Sequence, residues 1–227
     1  MNCTTSVSVA PSRAQTDSIK AYLEGVTNSL LASLPDAANL SPSERRGIIA
    51  RYTAVLEGNF IYWMTGAYLA ARSEEARSII TDNLLEEVRD SHPAMLRRFV
   101  VAADALPTDT DAIAVAPDLN GVRLFIGRLS PVPILVTMAF FESWIQRFMA
   151  YLEELAMRQG SFENEYTQVH GVCDIAHSEG LFHALQAEMA RASDSHESER
   201  SLYEGVHLLR ALIESIFTGR SSMALAA

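Results

Sequence analysis

Two histidines and an aspartate follow one another at helical spacing in the last third of the chain. His170, Asp174 and His177 occupy positions i, i+4 and i+7. At about 100° per residue, these three side chains share one face of a helix. The residues around them are apolar, namely Val169, Val172, Ile175, Ala176 and Leu181. Imidazole and carboxylate groups in apolar surroundings are typical of metal ligands, because an unpartnered charge is costly to bury.

Carboxylates elsewhere in the chain also interrupt apolar segments. Glu142 stands between aromatic residues, and Glu57 has large apolar neighbours on both sides. Glu86 or Glu87, with His92 shortly after, adds another carboxylate and a third imidazole. Three histidines and four carboxylates, delivered by four helices, form the ligand set of a binuclear site for iron or manganese. The sequence does not indicate a zinc site built from cysteines.

Each of these residues also has a purely structural interpretation. A single histidine on an apolar face is more often a hydrogen-bonded core residue. Either Glu57 or Glu142 could pair with an arginine, and the candidates are Arg51, Arg128 and Arg147. The metal site is favoured because all these groups occur together on separate helices. Four carboxylates would be neutralised by two divalent cations, so we expect the helix around residues 170–177 to lose order without metal.

The elements that must position these groups are helices. The chain has 227 residues, 48% of them hydrophobic, and only 11 glycines and 8 prolines. Apolar residues recur at i, i+3, i+4 and i+7, which predicts an all-α antiparallel bundle of seven or eight helices. The single predicted domain covers residues 16–220, between a flexible N-terminal tail at residues 1–15 and a C-terminal tail at residues 221–227.

Capping residues and prolines predict where the helices begin and end. The second helix begins at Ser41-Pro42, where serine caps and proline suits the first turn, and continues to about Arg72. The third ends at His92-Pro93, because a residue before proline disfavours the helical conformation. Residues 107–118 contain two prolines and several aspartates and are predicted to form a loop.

Charge and cysteine usage exclude several classes of protein. The net charge is −10 and no cluster of basic residues occurs, so neither nucleic acid nor a membrane is an expected partner. The two cysteines do not form a disulfide framework. Residues 1–15 lack the features of a signal peptide, and the longest apolar stretch, residues 131–141, is too short to span a bilayer. We therefore expect a cytoplasmic protein.

The order and spacing of the candidate ligands resemble those of the heme-oxygenase-like diiron oxidases and oxygenases. The resemblance covers about residues 41–191, and its most specific part is the His-x3-Asp-x2-His element. It implies a seven-helix heme-oxygenase-like bundle, a homodimer, and two Fe(II) ions, with manganese possible at one site. The implied chemistry is oxidation of a small substrate with O2 as cosubstrate. By matching position, the implied ligands are Glu57, Glu87, His92, Glu142, His170, Asp174 and His177.

One spacing in this set requires a break in the helix. Five residues separate Glu87 from His92, which would place them about 140° apart on a straight helix. The proline at position 93 supplies a break that could turn both side chains inward. Glu86 remains an alternative ligand, and Asp90 is a weaker one.

Residues about one or two turns from the implied ligands are expected to shape a substrate pocket. They are Phe60, Ile61, Met64, Leu135, Met138, Gln146, Tyr166 and Leu181. Most of them are aliphatic or aromatic, which suits a small substrate with an unactivated hydrocarbon segment. Cys173 is expected to be a small core residue that points about 100° away from Asp174.

The expected reaction is O2-dependent oxidation of an unactivated C–H bond in a small aliphatic amino acid. Desaturation or ring closure in specialised metabolism, with an external reductant, is the outcome we expect. Oxidative C–C cleavage and N-oxygenation of an amino acid or related small acid are alternatives within the same class. The alternative of another class is a helical bundle that stores metal or is purely structural.

Overall fold

A computed structural model describes residues 13–191 and 199–220 of the chain. Within these residues it contains nine helices of eleven residues or more and one single turn of helix. They are α1 (Arg13–Ala32), α2 (Pro42–Leu56), α3 (Asn59–Ala70), α4 (Glu74–Arg89), α5 (His92–Ala102), α6 (Asp109–Ile126), α7 (Pro131–Arg158), α8 (Glu165–Arg191), α9 (Glu199–Leu202) and α10 (Glu204–Thr218). No strand occurs among these residues, so the all-α prediction is confirmed.

The predicted second helix is in fact two helices, α2 and α3. Glu57 follows the last residue of α2, and Gly58 then adopts a left-handed conformation with φ 78°. Glycine lacks a Cβ and adopts this conformation without steric cost, which lets the chain change direction here. The prediction of one helix reaching Arg72 was therefore wrong.

The predicted loop at residues 107–118 belongs mostly to helix α6. Thr108 accepts a hydrogen bond from the backbone N–H of Asp111, and the Asp111 carboxylate accepts one from the backbone N–H of Thr108. This capping box satisfies two N–H groups at the start of α6. Pro117 lies inside the helix. The capping signal outweighs the prolines, so the loop prediction was wrong.

Helix α7 runs through the middle of the bundle. It packs along α8 and also contacts α1, α2, α3 and α10. Because other helices surround it, α7 is buried on nearly every side, and Trp144 and Phe140 are among the largest buried side chains. Helices α4 and α5 also pack against α8 and complete the frame of the site.

The number of helices and the start of the first helix differ from the expectations. The nine longer helices exceed both the seven that the resemblance implied and the eight that the pattern allowed. Helix α1 begins at Arg13, inside the predicted tail, whereas the rest of that tail and residues 221–227 lie outside the described residues. None of the helices in the described part of the chain combines the length and hydropathy needed to cross a bilayer.

Candidate metal centre

Ionisable side chains from four helices meet inside the bundle. The residues concerned are Glu86 and Glu87 at the end of α4, His92 at the start of α5, Glu142 in the middle of α7, and His170, Asp174 and His177 on α8. All but Glu86, whose side chain is 37% exposed, are buried. We call these seven residues the buried cluster.

The break between α4 and α5 brings Glu87 and His92 together. Ser91 adopts a left-handed conformation with φ 59°, and the new helix starts at His92 with Pro93 in its first turn. The turn therefore lies one residue earlier than the sequence suggested, and His92 itself is helical. As a result, His92 Nδ1 lies 2.8 Å from Glu87 Oε1 despite the five-residue offset.

Glu87, His92 and His170 form the first half of the buried cluster. His170 Nε2 lies 3.8 Å from Glu87 Oε1, and one donor atom from each of the three residues lies within 4.8 Å of the others. His170 Nδ1 donates a hydrogen bond to the backbone carbonyl of Tyr166 at 2.8 Å. That bond fixes the tautomer and leaves Nε2 with a lone pair directed into the cluster, as in metal-ligating histidines.

The second half of the buried cluster contains Glu142, Asp174, His177 and Glu86. His177 Nδ1 lies 3.7 Å from Asp174 Oδ1 and 3.9 Å from Glu142 Oε1, while His177 Nε2 lies 3.2 Å from Glu86 Oε2. None of these approaches has hydrogen-bond geometry. Glu142 Oε1, Asp174 Oδ2 and both ring nitrogens of His177 are buried without a hydrogen-bond partner.

Burial and mutual repulsion shift the pKa values of several members of the buried cluster. Burial, reinforced by the neighbouring carboxylates, raises the pKa of Glu142 well above its ordinary value. Asp174 shifts in the same direction, again chiefly because of burial. Burial lowers the pKa of His170 to about 4, so its ring is neutral at pH 7. Burial also disfavours the charged form of His92, but its hydrogen bond with Glu87 and the charges of the neighbouring carboxylates together outweigh this and raise the pKa of His92.

The buried cluster fits metal ions better than it fits a hydrogen-bonded core. Buried polar atoms without partners are rare in folded proteins, and here three residues of one half carry four of them. Carboxylate and imidazole donors suit iron and manganese. The Cys173 thiol is half-buried and donates to Asp174 Oδ1 at 3.3 Å, so the expectation that it points away from Asp174 was wrong. Burial raises the pKa of this thiol, which disfavours the thiolate as a ligand.

Glu57 is the one implied ligand that the structure does not bring into the buried cluster. Its side chain is 52% exposed, and Glu57 Oε1 accepts a hydrogen bond from Arg97 Nη1 at 3.1 Å. Because α2 ends at Leu56, Glu57 lies at a turn rather than on an inward helix face. The arginine in this pair is not among the three considered from the sequence. Glu142 has no arginine partner at all within the described ion pairs.

A cavity of about 30 Å³ adjoins the buried cluster. We call it the inner cavity. Apolar and aromatic side chains form much of its wall, and they include Leu56, Phe60, Ile61, Leu96, Ile145 and Tyr166. Three of these, Phe60, Ile61 and Tyr166, were predicted as pocket residues. The Tyr166 hydroxyl lies 2.8 Å from the buried hydroxyl of Tyr52.

The other five predicted pocket residues do not line the inner cavity. Met64, Leu135, Met138 and Leu181 are buried in helix packing, and Gln146 donates its side-chain amide to the Gly171 carbonyl at 3.4 Å. These residues lie away from the inner cavity because α7 and its neighbours are enclosed by other helices. A residue one or two turns from a ligand therefore meets another helix instead of open space.

Sequence reasoning gave no role to Asn83 or Arg97. Asn83 lies one turn before Glu87 on α4, is buried, and its side-chain nitrogen has no hydrogen-bond partner. Its spacing of four residues from Glu87 is a signal that could have revealed it. Arg97, the partner of Glu57, follows His92 by five residues on α5. No local signal in the sequence connects it with a residue on another helix.

A comparison with family models gives one match that covers well over half of the chain. The model describes an iron-containing redox enzyme, heme-oxygenase-like, and matches residues 49–210. This span contains every member of the buried cluster. No curated protein and no solved structure matches the chain. The matched span and the buried donor set agree, and the chain therefore belongs to the family of heme-oxygenase-like, iron-containing redox enzymes.

Proposed function

We propose that this protein is a non-heme diiron oxidase that uses O2 to oxidise an unactivated C–H bond of a small aliphatic amino acid. The observation that carries the proposal is the set of buried, unpartnered donor atoms in a chain of the iron-containing redox enzyme family. A storage protein or a structural bundle would need no apolar surface beside its metal ligands, whereas an oxidase needs such surface to face the hydrocarbon part of its substrate, and the wall of the inner cavity offers it.

The buried cluster offers two groups of donors for two iron ions. Glu87, His92 and His170 would hold one ion, and Glu142, Asp174 and His177 the other. Glu86 is the additional carboxylate of the second group, because its Oε2 approaches His177. When bound, iron supplies the electrons and the binding site with which O2 is activated.

The remaining residues of the site orient the ligands and exclude water. The hydrogen bond from His170 to the Tyr166 carbonyl holds one imidazole in a fixed orientation. Tyr166 is itself held by Tyr52, and burial raises the pKa of both phenols, so both keep their protons at neutral pH. Leu56, Phe60 and Ile145 present hydrocarbon surface beside the ligands, which suits an aliphatic part of a substrate.

The overall reaction needs a reductant besides O2. Desaturation removes two electrons and two protons from the substrate, whereas reduction of O2 to two waters takes four electrons and four protons. An external two-electron donor and two solvent protons therefore complete each turnover. The chain is proposed to act as a homodimer in the cytoplasm, with the reductant supplied by another component.

Metal content after anaerobic reconstitution with Fe(II) tests the metal centre. The expected result is about two iron ions per chain, reduced to one or none in His92→Ala and Asp174→Asn. Arg158→Gln, which breaks an exposed ion pair at the far end of α7, is the matched control and retains both ions. Wild-type protein that binds no iron under these conditions refutes the proposal.

A substrate screen tests the reaction. Free amino acids are incubated with the Fe(II)-loaded protein, O2 and a reductant, and the products are read by mass. A loss of two hydrogens identifies desaturation or ring closure, a gain of one oxygen identifies oxygenation, and smaller products identify cleavage. Consumption of O2 with no change in any amino acid contradicts the assigned substrate class.

A further inference from the structure

A second cavity adjoins the inner cavity and is lined by residues of α2 and α5 and of the segments that follow these helices. It has a volume of about 290 Å³, and we call it the outer cavity. Glu57, Pro93 and Leu96 line both cavities, so the two are neighbours with a shared wall. A volume near 300 Å³ is in the range of pockets that bind small molecules, whereas the inner cavity holds only about one or two water-sized groups.

The ion pair between Glu57 and Arg97 lies at the junction of the two cavities. Within residues 13–191 and 199–220, these two are the only charged residues that line the outer cavity, and the rest of its wall is mainly apolar, including Val100 and Leu106. Both side chains are more than half exposed, at 52% and 66%. An exposed pair of this kind contributes about 0–1 kcal/mol to stability, so a ligand that offers both charges can replace it easily.

The two opposite charges of this ion pair are complementary to the carboxylate and ammonium groups of a free amino acid. We propose that Arg97 binds the α-carboxylate and Glu57 binds the α-ammonium group of the substrate, so that Glu57 is a substrate-binding residue rather than a metal ligand. Guanidinium binds carboxylate through two parallel hydrogen bonds, and a carboxylate accepts strong hydrogen bonds from ammonium. This inference rests on the proposed function, because it assigns the specificity of the same site.

The order of the two charges sets the direction in which the substrate lies. Glu57 lines both cavities, whereas Arg97 lines only the outer one. The ammonium group is therefore nearer the inner cavity and the carboxylate nearer the surface. Leu96 and Pro93 form the shared wall along which the side chain of the substrate extends towards His92 and Glu87.

Binding to the Fe(II)-loaded protein without O2 tests the head-group site independently of turnover. The probes are the twenty common amino acids and L-norleucine, measured by isothermal titration calorimetry. For the tightest binder, the methyl ester removes the carboxylate charge and the N-acetyl derivative removes the ammonium charge. Arg97→Gln should weaken binding of the free amino acid at least tenfold and leave binding of the methyl ester nearly unchanged. Glu57→Gln should weaken binding of the free amino acid by a similar factor and leave binding of the N-acetyl derivative nearly unchanged.

Two further variants separate recognition from a structural role. Exchanging the charges in Glu57→Arg/Arg97→Glu retains an ion pair but reverses its order, and it should weaken amino acid binding as much as either single variant. Arg158→Gln removes an exposed ion pair elsewhere and should change nothing. If the exchanged variant binds as well as the wild type, or if no probe binds the wild type, the head-group site is refuted.

Metal content keeps this inference distinct from the proposed function. Glu57→Gln should retain the iron content of the wild type. A loss of iron in this variant identifies Glu57 as a further metal ligand and overturns the head-group site without affecting the diiron oxidase. Wild-type protein that binds no iron refutes the oxidase, whatever the calorimetry shows.

Discussion

Glu142 provides the most direct test of the idea that the buried cluster exists for metal rather than for stability. Its side chain is only 1% exposed, and its Oε1 has no hydrogen-bond partner. The variant Glu142→Leu removes the carboxylate and puts a hydrocarbon of similar size beside Phe141 and Trp144. We expect this variant to be more stable than the wild type without metal and to gain less stability from Fe(II).

The magnitudes follow from burial. Replacing a buried, poorly partnered ionisable group with an apolar one is worth about 2 kcal/mol, since such replacements are neutral to favourable by about 1–4 kcal/mol. In a chain of this length, about 2 kcal/mol raises Tm by about 4–8 °C. Fe(II) at a hundredfold excess over Kd stabilises each occupied site by about 2.7 kcal/mol. If Glu142→Leu loses the second iron site, the increase in Tm that Fe(II) produces should be about 5–11 °C smaller in this variant than in the wild type.

Thermal unfolding of metal-free and Fe(II)-loaded protein under anaerobic conditions measures both effects. The matched control is Glu188→Leu, because Glu188 is also a buried carboxylate but accepts hydrogen bonds from the backbone N–H groups of Arg72 and Ser73. This control should be destabilised by about 2–4 kcal/mol in both states, since two N–H groups lose their partner. A lower Tm of metal-free Glu142→Leu, or an unchanged response to Fe(II), refutes the reasoning.

Three further predictions address other parts of the chain. Amide exchange in residues 170–177 should slow on Fe(II) binding, because metal joins groups that otherwise repel; equal protection in both states contradicts this. Asp111→Asn should lower the free energy of unfolding at pH 7, measured by chemical denaturation, by about 2 kcal/mol, since the carboxylate accepts hydrogen bonds from Thr108 and Arg46. Burial raises the pKa of Asp111, but these hydrogen bonds lower it overall. The difference in the free energy of unfolding between wild type and variant should therefore vanish as pH falls through that lowered pKa. A difference that does not change with pH contradicts the assignment. Gly205→Ala should lower Tm, since a Cβ would lie 2.1 Å from Thr137 Oγ1 and must displace its neighbours at a cost of about 1–3 kcal/mol; an unchanged Tm contradicts this packing.

The helical class, the family and much of the buried cluster could be predicted because their signals are local. The stripe of His170, Asp174 and His177 needs only helical periodicity, and the bundle places all three inside. The proline after His92 indicated the break between α4 and α5. These predictions depend on residues a few positions apart, whose relative placement hardly changes with the tertiary structure.

The sequence was least informative where tertiary structure decides the outcome. Glu57 has apolar neighbours in sequence, but the left-handed Gly58 ends the helix and leaves the carboxylate at the surface opposite Arg97. The partner lies 40 residues away on α5, so no periodicity could reveal it. The loop prediction at residues 107–118 failed for a different reason. There the capping box from Thr108 to Asp111 was visible in the sequence, but the prolines were given more weight.

The proposed ligands and the proposed head-group residues lie in different environments, and the roles proposed for them would require this. Groups that hold a metal in the folded protein exchange partners rarely and can be buried, and Glu142 and Asp174 are buried although burial raises their pKa values. Groups that bind a substrate must exchange partners in every turnover, and an exposed ion pair does this at low cost. Glu57 and Arg97 satisfy the second requirement and not the first. Glutamate is thus proposed to have opposite roles at two positions, since Glu142 is buried without a partner and Glu57 is exposed and paired with Arg97. The iron content of Glu57→Gln decides whether that distinction holds.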